Sequence, residues 1–471
     1  MSDSIGESNN YLPFTTVNSI LQKYGSKNYY IIILYLLSSA TWALTAIVIF
    51  LPTFIMKKLS CGEDNKDWCN SRLNDSISIE ETFNLSDDEC ELFNQSFFIG
   101  NIIGSTFQSY LADVYGRKLI VLPSFFLTSL LGFLMTCFSK YVYIVIIRFC
   151  QGLLLSAADG IIFVLATENS PLESHAIISL ASNLSFAFGL ILLVPISYYF
   201  PNWKIAILIA HTPAFILPII LWFILPESLH FLFEKKEKSK IKIWIEYANK
   251  YSRQNLKIDF DSCIKKFHSC DGEFMKGGYI NRGLVKVLQY YYLNRKYILY
   301  LLMVIFIWFN EFLSYYVFTE NATALSGNPY LNFIFIALVE FPTSVIGPIT
   351  IDKFGRKIPL AVSFFLIAIL EIVLVILPQH LETPYMIIFL IIKAFIALNC
   401  IYMFVYFSEI FPTEIRNSSV GALTNTGSVG GIVAGVVISS WINNKIIYLI
   451  IFSILSFSNI GFIYFLPNIE G

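Results

Sequence analysis

The hexapeptide Asp113-Val114-Tyr115-Gly116-Arg117-Lys118 recurs downstream as Asp352-Lys353-Phe354-Gly355-Arg356-Lys357, with four of its six residues unchanged. The two copies are 352 − 113 = 239 residues apart. A second pair follows almost the same rule, since Glu168 and Pro171 correspond to Glu409 and Pro412 at an offset of 241. The chain therefore consists of two related halves in the same orientation.

The composition of the chain is that of a membrane protein. Its 471 residues are 56% hydrophobic and 14% charged, and its mean hydropathy is +0.65, which leaves too little polar surface for a soluble globule. Twelve apolar runs are long enough to cross a bilayer as helices. They begin near Tyr29, Asn94, Leu119, Tyr141, Ala176, Trp203, Tyr297, Asn328, Ile358, Pro384, Val420 and Asn444.

The sequence therefore predicts an all-α membrane protein of twelve transmembrane helices in two parallel six-helix bundles. The expected divisions are an N-terminal segment 1–28, a first bundle 29–226 with a loop at 56–93, a central loop 227–296 and a second bundle 297–471. Parallel repeats of this kind are one of the plans on which secondary transporters are built.

The distribution of charge predicts the orientation in the membrane. Residues 227–296 carry fifteen Lys or Arg and eight Asp or Glu, whereas residues 56–93 carry four basic and ten acidic residues. Basic loops remain in the cytoplasm. We expect both termini, both hexapeptides and the central loop to be cytoplasmic and the 56–93 loop to be external.

The predicted external loop contains sequons for N-glycosylation at Asn74 and Asn84. It also contains Cys61, Cys69 and Cys90, which predict one disulfide and one free thiol of undetermined connectivity. The spacing of the cysteines does not suggest a metal site.

The hexapeptides are predicted to belong to a gate. A glycine permits a tight turn between two helices, and the adjacent Asp and Arg can pair with Glu168 or Glu409 at the ends of neighbouring helices. Such pairs would lock the two halves together on the cytoplasmic face. The competing interpretation, that these residues only fix topology, accounts for Arg and Lys but not for the repeated Asp, Gly and Glu. The candidate gate residues are Asp113, Gly116, Arg117, Glu168, Asp352, Gly355, Arg356, Glu409 and Arg416.

Ionisable residues inside the apolar runs are candidates for function, because each is costly in lipid unless it faces a cavity or a partner. Arg148 and Asp159 share a helix face but lie too far apart to pair. Glu311 and Lys393 are candidates either for a substrate site or for a mutual structural pair. Glu371 is expected to extend to the interface. Glu340 precedes Pro342 and is expected to have a partly structural role at a kink.

Aromatic residues surround one of these carboxylates. Trp308, Glu311, Phe312 and Tyr315 fall on one face of a helix, a pattern that suits an organic cation but is also common in packing surfaces. Tyr402 and Tyr406 share a face in the same way.

These motifs resemble those of a known family. Asp-x-x-Gly-Arg-Lys is similar to the signature of the major facilitator superfamily, as is Arg148-x-x-Gln151-Gly152. The external cysteine loop, Pro226-Glu227-Ser228 and the segment Gly327-Asn328-x-Tyr330-Leu331-Asn332 resemble the organic cation/anion/carnitine transporter family. The resemblance implies a substrate cavity lined by Trp308, Tyr315, Glu340, Lys393 and Glu409.

The chain departs from that family at three positions. Ser109 stands where the first motif usually has Gly, and His175 where Arg would mirror Arg416, so the first-half gate is expected to be weaker or sensitive to pH. Ser428 occupies the position at which cation carriers tend to have Asp and anion or carnitine carriers Arg. The charge of the cargo is therefore not encoded there.

We expect a transporter of small amphipathic organic ions in the plasma membrane, with cations favoured over anions. The predicted substrate-binding residues are Trp308, Glu311, Tyr315, Glu340, Lys393, Tyr402 and Ser428. No motif suggests an enzyme, a metal, a cofactor or nucleic acid. The expected partners are the substrate and the bilayer; the oligomeric state is left open. The alternatives are a sugar or polyol porter and a membrane glycoprotein that does not transport.

Overall fold

The structure, a computed structural model, describes residues 17–58, 76–156, 158–250, 289–378 and 381–468. In these ranges it is almost entirely helical, and eleven helices are long and apolar enough to cross a membrane. We label the bundle helices α1 to α12 in chain order. They are α1 Tyr29–Phe50, α2 Asp87–Tyr115, α3 Arg117–Met135, α4 Tyr141–Glu168, α5 His175–Tyr199, α6 Trp203–Ile224, α7 Arg295–Glu320, α8 Pro329–Phe354, α9 Lys357–Ile376, α10 Glu382–Ile410, α11 Gly421–Ser440 and α12 Asn444–Phe465.

The one bundle helix outside that set of eleven is α2, which corresponds to the predicted span near Asn94. It has 29 residues but begins with three acidic residues, Asp87, Asp88 and Glu89. Ser86 and Glu89 form a capping box that satisfies the first backbone N–H groups of the helix. The acidic start and polar residues further along, among them Asn101 and Gln108, lower the mean hydropathy of α2 without shortening it.

Helix α2 is in backbone contact with α4. A Cβ atom on Gly100 would lie 2.1 Å from the carbonyl oxygen of Phe149, and one on Gly152 would lie 1.9 Å from that of Phe97. Small residues on facing helices permit this approach, which increases van der Waals contact where lipid supplies no hydrophobic driving force. The tight packing makes α2 part of the first bundle.

Each hexapeptide forms the junction between two antiparallel helices. Gly116 separates α2 from α3 with φ +114°, and Gly355 separates α8 from α9 with φ +77°, a region of backbone space that favours glycine. We call the end of the bundle that carries both junctions the motif end, and the other end the distal end.

The last two helices, α11 and α12, are separated by a bend, and a lysine marks the end of α12. Helices α11 and α12 belong to one continuous helical segment, Thr413–Phe465, that bends at Asn444, where φ is −126°. At the motif end, the Lys357 ammonium donates to the carbonyl oxygens of Tyr464 (3.0 Å) and Leu466 (2.7 Å), which terminates α12.

Part of the predicted central loop packs against the first bundle. Its helix Lys238–Lys250 buries Ile241 and Trp244, and the indole of Trp244 donates to Asn169 at 3.0 Å. The ring of Trp244 also lies 5.8 Å from that of Tyr30 on α1. The helix Lys238–Lys250 thus covers the motif end of the first bundle.

Candidate functional site

The two halves contact each other at the distal end through aromatic rings. Phe54, just after α1, stacks on Tyr330 with centroids 5.7 Å apart and packs edge-on against Phe333 at 4.9 Å. Tyr198 of α5 also meets Tyr330, at 5.4 Å. These contacts close the distal end between the halves.

Contacts between α2 and α11 continue from the distal end toward the middle of the bundle. Ser439 donates to the Glu91 carboxylate near the distal end, and Ser428 donates to Asn101 at 3.0 Å. Further along, Ser105 donates to Asn425. Ser428, which the sequence predicts as a substrate residue, therefore lies at the contact between the halves.

A buried ion pair lies in the second half and faces the first. The Lys393 ammonium is 3.0 Å from the Glu340 carboxylate and donates to the Thr319 hydroxyl at 2.8 Å. The Tyr315 hydroxyl donates to Glu340 at 2.7 Å, and Lys393 lies 3.3 Å from the centroid of the Tyr315 ring. The same ring is 6.4 Å from that of Phe50 on α1. Lys393 thus lies over Tyr315, one ring of the aromatic face that the sequence suggests for a cation.

Glu311 does not pair directly with Lys393. Its carboxylate accepts hydrogen bonds from the Asn399 amide at 3.3 Å and from the Cys400 thiol at 3.9 Å. Asn399 in turn accepts from Ser363. Glu311 is therefore fixed between α7 and α10 by neutral donors.

The expected extension of Glu371 to the interface is wrong. Its side chain has 0% exposure, and one carboxylate oxygen accepts from Ser456 of α12 at 3.3 Å. The other oxygen has no hydrogen-bond partner among the described residues. Glu371 lies five residues before the end of α9, deep enough to be enclosed by the neighbouring α12.

The predicted aromatic face of α7 packs largely on α10. Trp308 is buried and stacks on Phe312 (5.3 Å), and it meets Phe404 edge-on at 4.8 Å. Its indole N–H has no hydrogen-bond partner in the described part of the chain. Tyr402 is also buried and exchanges a hydrogen bond with Thr350 at 2.8 Å. Trp308 therefore offers one unused donor inside the bundle.

The ionisable residues of α4 have separate partners in the first half. The Arg148 guanidinium lies 4.3 Å from the Phe97 ring centroid and donates to Gln151 at 3.3 Å. Asp159 accepts from Thr45 of α1 at 2.7 Å. Glu320, at the distal end of α7, is close enough to Arg148 for their opposite charges to attract across the halves.

At the motif end, the candidate gate residues pair within their own halves. The Arg117 guanidinium is 3.3 Å from both Asp113 and Glu168, and that of Arg356 contacts Glu409 at 2.9 and 3.2 Å. The second pair has the bidentate geometry that makes Arg–carboxylate contacts strong. Within the described ranges, these five charged residues therefore form no ion pair between the two halves in this conformation. The side chain of Arg416 lies outside the described residues.

Two histidines lie near the first-half gate. His175 donates from Nε2 to the Thr167 carbonyl oxygen at 3.2 Å, and His230 donates to Asn18 at 3.0 Å. Burial lowers the pKa of His230, and the nearby Arg117 and His175 lower it further. The pH sensitivity expected from His175 stays a prediction.

Two of the residues predicted to be modified, Asn84 and Cys90, lie in the described part of the distal end. Asn84 is exposed in the left-handed conformation at the end of the short helix Ile79–Phe83, with φ 50°. Cys90 is a buried free thiol. Asn74, Cys61 and Cys69 lie outside the described residues. No group of His, Cys, Asp or Glu side chains suited to a metal ion is present in the described ranges.

Several functional candidates carry no charge and were missed in the sequence. Asn101, Asn399 and Asn425 each bond to another polar side chain inside the bundle. Their signal in the sequence is an amide within an apolar run, since a polar group in lipid needs an internal partner. Glu320 was missed because it stands at the end of its run.

Comparisons with known proteins agree with this architecture. The sequence profile described as the Major Facilitator Superfamily matches residues 31–435. A Caenorhabditis elegans protein named as a transporter is 26% identical over 430 residues, which cover 89% of this chain and 81% of the relative. Solute carrier family 22 member 1 of Bos taurus is 27% identical over 386 residues, covering 79% of this chain and 64% of the relative's length.

Among solved structures, the inward open conformation of the xylose transporter XylE from E. coli has a similar fold. Its TM-score is 0.68 at 15% sequence identity, with 94% of this chain and 97% of that chain covered. At this identity, the likeness concerns the fold alone.

Proposed function

The chain belongs to the major facilitator superfamily and is related to its solute carrier family 22, and from this premise we propose that it moves small organic ions across the plasma membrane by alternating access. The observation that carries the proposal is the group of Lys393, Glu340 and Tyr315, which is buried in the second half and meets the first half through Phe50. Ionisable groups at such depth are costly unless they serve a pathway or a partner.

The balance of buried charge supports a preference for cations. Five carboxyl groups and two basic groups occupy the interior of the described helices, so acidic groups predominate even though Lys393 neutralises Glu340. A buried carboxyl group that has no basic partner is stabilised as an anion when a cation pairs with it, so this excess of carboxyl groups suits a cationic cargo. The acidic residues are Asp159, Glu311, Glu320, Glu340 and Glu371, and the basic residues are Arg148 and Lys393.

Lys393 limits how an organic cation binds. Its ammonium already lies over the Tyr315 ring and beside Glu340, so a second cation at that position meets like-charge repulsion. The Glu311 carboxylate, held by Asn399, and the stacked rings of Trp308 and Phe312 remain for a cationic cargo. An anionic cargo would instead compete with Glu340 for Lys393.

The contacts between the halves support alternating access. Phe54–Tyr330 and Asn101–Ser428 join the halves at the distal end and in the middle, while Arg356–Glu409 at the motif end joins residues of one half. With the motif end assigned to the cytoplasm, the cargo site would communicate with the cytoplasm in this conformation. Closing the motif end would require the gate residues to exchange partners between the halves.

The test is uptake in cells that express the chain. Labelled quaternary ammonium, aryl carboxylate, zwitterion and hexose probes are compared while the membrane voltage and the Na⁺ and H⁺ gradients are varied. We expect uptake of the ammonium probe that increases with inside-negative voltage. Uptake of hexose alone would favour the sugar or polyol porter, and no uptake of any probe despite normal surface expression would favour a glycoprotein that does not transport.

Two variants test the site itself. Trp308→Ala and Glu311→Gln should lower uptake without reducing surface expression, because each removes a group that faces the interior between α7 and α10. Phe107→Ala is a matched control, since the Phe107 side chain is 63% exposed on the outside of α2. Unchanged transport in both site variants would overturn the assignment of the pocket.

A further inference from the structure

A cavity of about 720 Å³ lies at the motif end of the first half, away from the proposed cargo site. Its walls are the α2–α3 junction, the end of α6 and the helices Leu229–Glu234 and Lys238–Lys250. Three lysines line it: Lys118 at the α2–α3 junction, Lys235 directly after the helix Leu229–Glu234, and Lys240 in the helix Lys238–Lys250. Neither the gate nor the cargo site accounts for this cavity.

The acidic residues of the cavity are already engaged. Glu227 accepts the backbone N–H groups of Arg117 at 3.0 Å and Lys118 at 3.2 Å, so its charge compensates the N-terminus of α3. Glu237 lies 3.8 Å from Lys240 on the adjacent turn. The lysines outnumber the carboxylates, and the excess charge in the cavity is positive.

The rest of the wall is aromatic and faces the surrounding lipid. Phe223 is 83% exposed and Tyr115 is 59% exposed. Because both belong to helices of the bundle, their rings face the lipid rather than water. The Lys118 ammonium lies 5.3 Å from the Trp222 ring centroid, which places a cation directly beside this apolar wall. Aromatic rings next to lysines are typical of the level of the lipid headgroups.

We propose that this cavity binds one anionic phospholipid of the cytoplasmic leaflet. The phosphate would lie among Lys118, Lys235 and Lys240, and the acyl chains would lie along Phe223 and Leu119. Basic pockets between helices on the cytoplasmic side suit such headgroups, and that leaflet is the one that carries anionic lipid. The bound lipid would join α3 to the helix Lys238–Lys250, beside the Arg117–Glu168 pair.

The experiment uses the full chain in phosphatidylcholine nanodiscs that contain a photoreactive phosphatidylserine. Crosslinked peptides are identified by mass spectrometry, and the yield is measured as the lipid is titrated. We expect crosslinks to the Lys238–Lys250 helix and to the end of α6. Lys240→Ala should lower the apparent affinity about fivefold and Lys235→Ala/Lys240→Ala about 25-fold, because each lysine near an anionic surface contributes a similar binding free energy.

Lys242→Ala is the matched control. Lys242 lies on the same helix, is similarly exposed and pairs with Glu246 outside the cavity. The substitution removes the same charge as Lys240→Ala. An equal loss of affinity in the two variants would show that the lysines act by general attraction to the lipid surface, and it would overturn the site. Lys235, Lys240 and Lys242 are all exposed, and the melting temperature of each variant verifies folding.

Two further arms identify the ligand. A photoreactive phosphatidylcholine should give a much lower yield at the same peptides, and an equal yield would overturn the requirement for an anionic headgroup. A soluble inositol phosphate should compete only weakly, because it lacks the acyl chains. Competition as strong as that of the intact lipid would assign the cavity to a free phosphate compound and overturn the lipid.

Discussion

The Lys393 ammonium lies 3.0 Å from the Glu340 carboxylate and 3.3 Å from the centroid of the Tyr315 ring, with less than a tenth of either charged side chain exposed. The two charges come from α10 and α8 and compensate each other where water has little access. A buried pair of this kind is costly to form and more costly to break, because removing one partner leaves an unpaired charge.

This relationship predicts the outcome of single and double substitutions. Glu340→Ala and Lys393→Ala should each lower the stability of the second half, by about 3–5 kcal/mol when the remaining charge stays buried. Glu340→Met/Lys393→Met should restore much of that stability because neither charge remains. Thermal unfolding in detergent measures the three effects.

Uptake assays on the same variants separate packing from function. If the pair contacts the cargo, the double variant should be stable and should transport poorly. A double variant that is stable and fully active would assign the pair to structure alone.

The close contact of α2 and α4 predicts that Gly152 tolerates no side chain. In Gly152→Ala, the new methyl group would meet the carbonyl oxygen of Phe97 at 1.9 Å, so the helices must separate. We expect a lower melting temperature and reduced expression, with a loss of about 1–3 kcal/mol from overpacking.

Gly160→Ala supplies the control on the same helix. A Cβ atom at Gly160 has no neighbour within 4 Å, and alanine favours the helix. Its melting temperature should be unchanged or higher. Equal destabilisation by the two substitutions would show that helix propensity, rather than the contact with Phe97, decides the effect.

The bidentate contact of Arg356 and Glu409 predicts a conformational role for the second hexapeptide. Arg356→Ala should shift the equilibrium between the states in which the motif end is open and closed, since it removes both hydrogen bonds to Glu409. Labelling of cysteines introduced at the two ends, together with exchange rates, measures the shift. Lys353→Ala, at an exposed position in the same hexapeptide, is the control. A normal exchange rate in Arg356→Ala would count against the gate.

The hydrogen bond between Ser428 and Asn101 predicts how the distal side opens. Ser428→Ala removes a 3.0 Å contact between the halves and should favour the conformation that is open at the distal end, by about 1 kcal/mol or fivefold. Accessibility of a cysteine near Tyr330 should rise accordingly. Within the described ranges, the Ser458 hydroxyl bonds to carbonyl oxygens of its own helix alone, so Ser458→Ala should leave accessibility unchanged.

The hydropathy of the sequence determined most of the fold. A helix that crosses lipid must bond its backbone internally and present apolar side chains, so runs of suitable length identify it without knowledge of its neighbours. This argument located the helices from α1 at Tyr29 to α12 at Asn444. The predicted run near Asn94 corresponds to α2, which polar residues along its length leave less apolar than the other eleven helices, and the repeated hexapeptides revealed the two halves.

The tertiary structure decided which of the buried ionisable side chains pair with each other. The sequence identifies Glu311, Glu340 and Lys393 as unusual but does not say which of them pair, because the pairing depends on the rotation and depth of three different helices. Glu371 shows the same limit: its distance from the helix end suggested the interface, and its burial follows from the position of α12 beside it. Side-chain spacing along one helix is local information, whereas burial and ion pairing are set by the neighbours that packing brings to each helix face.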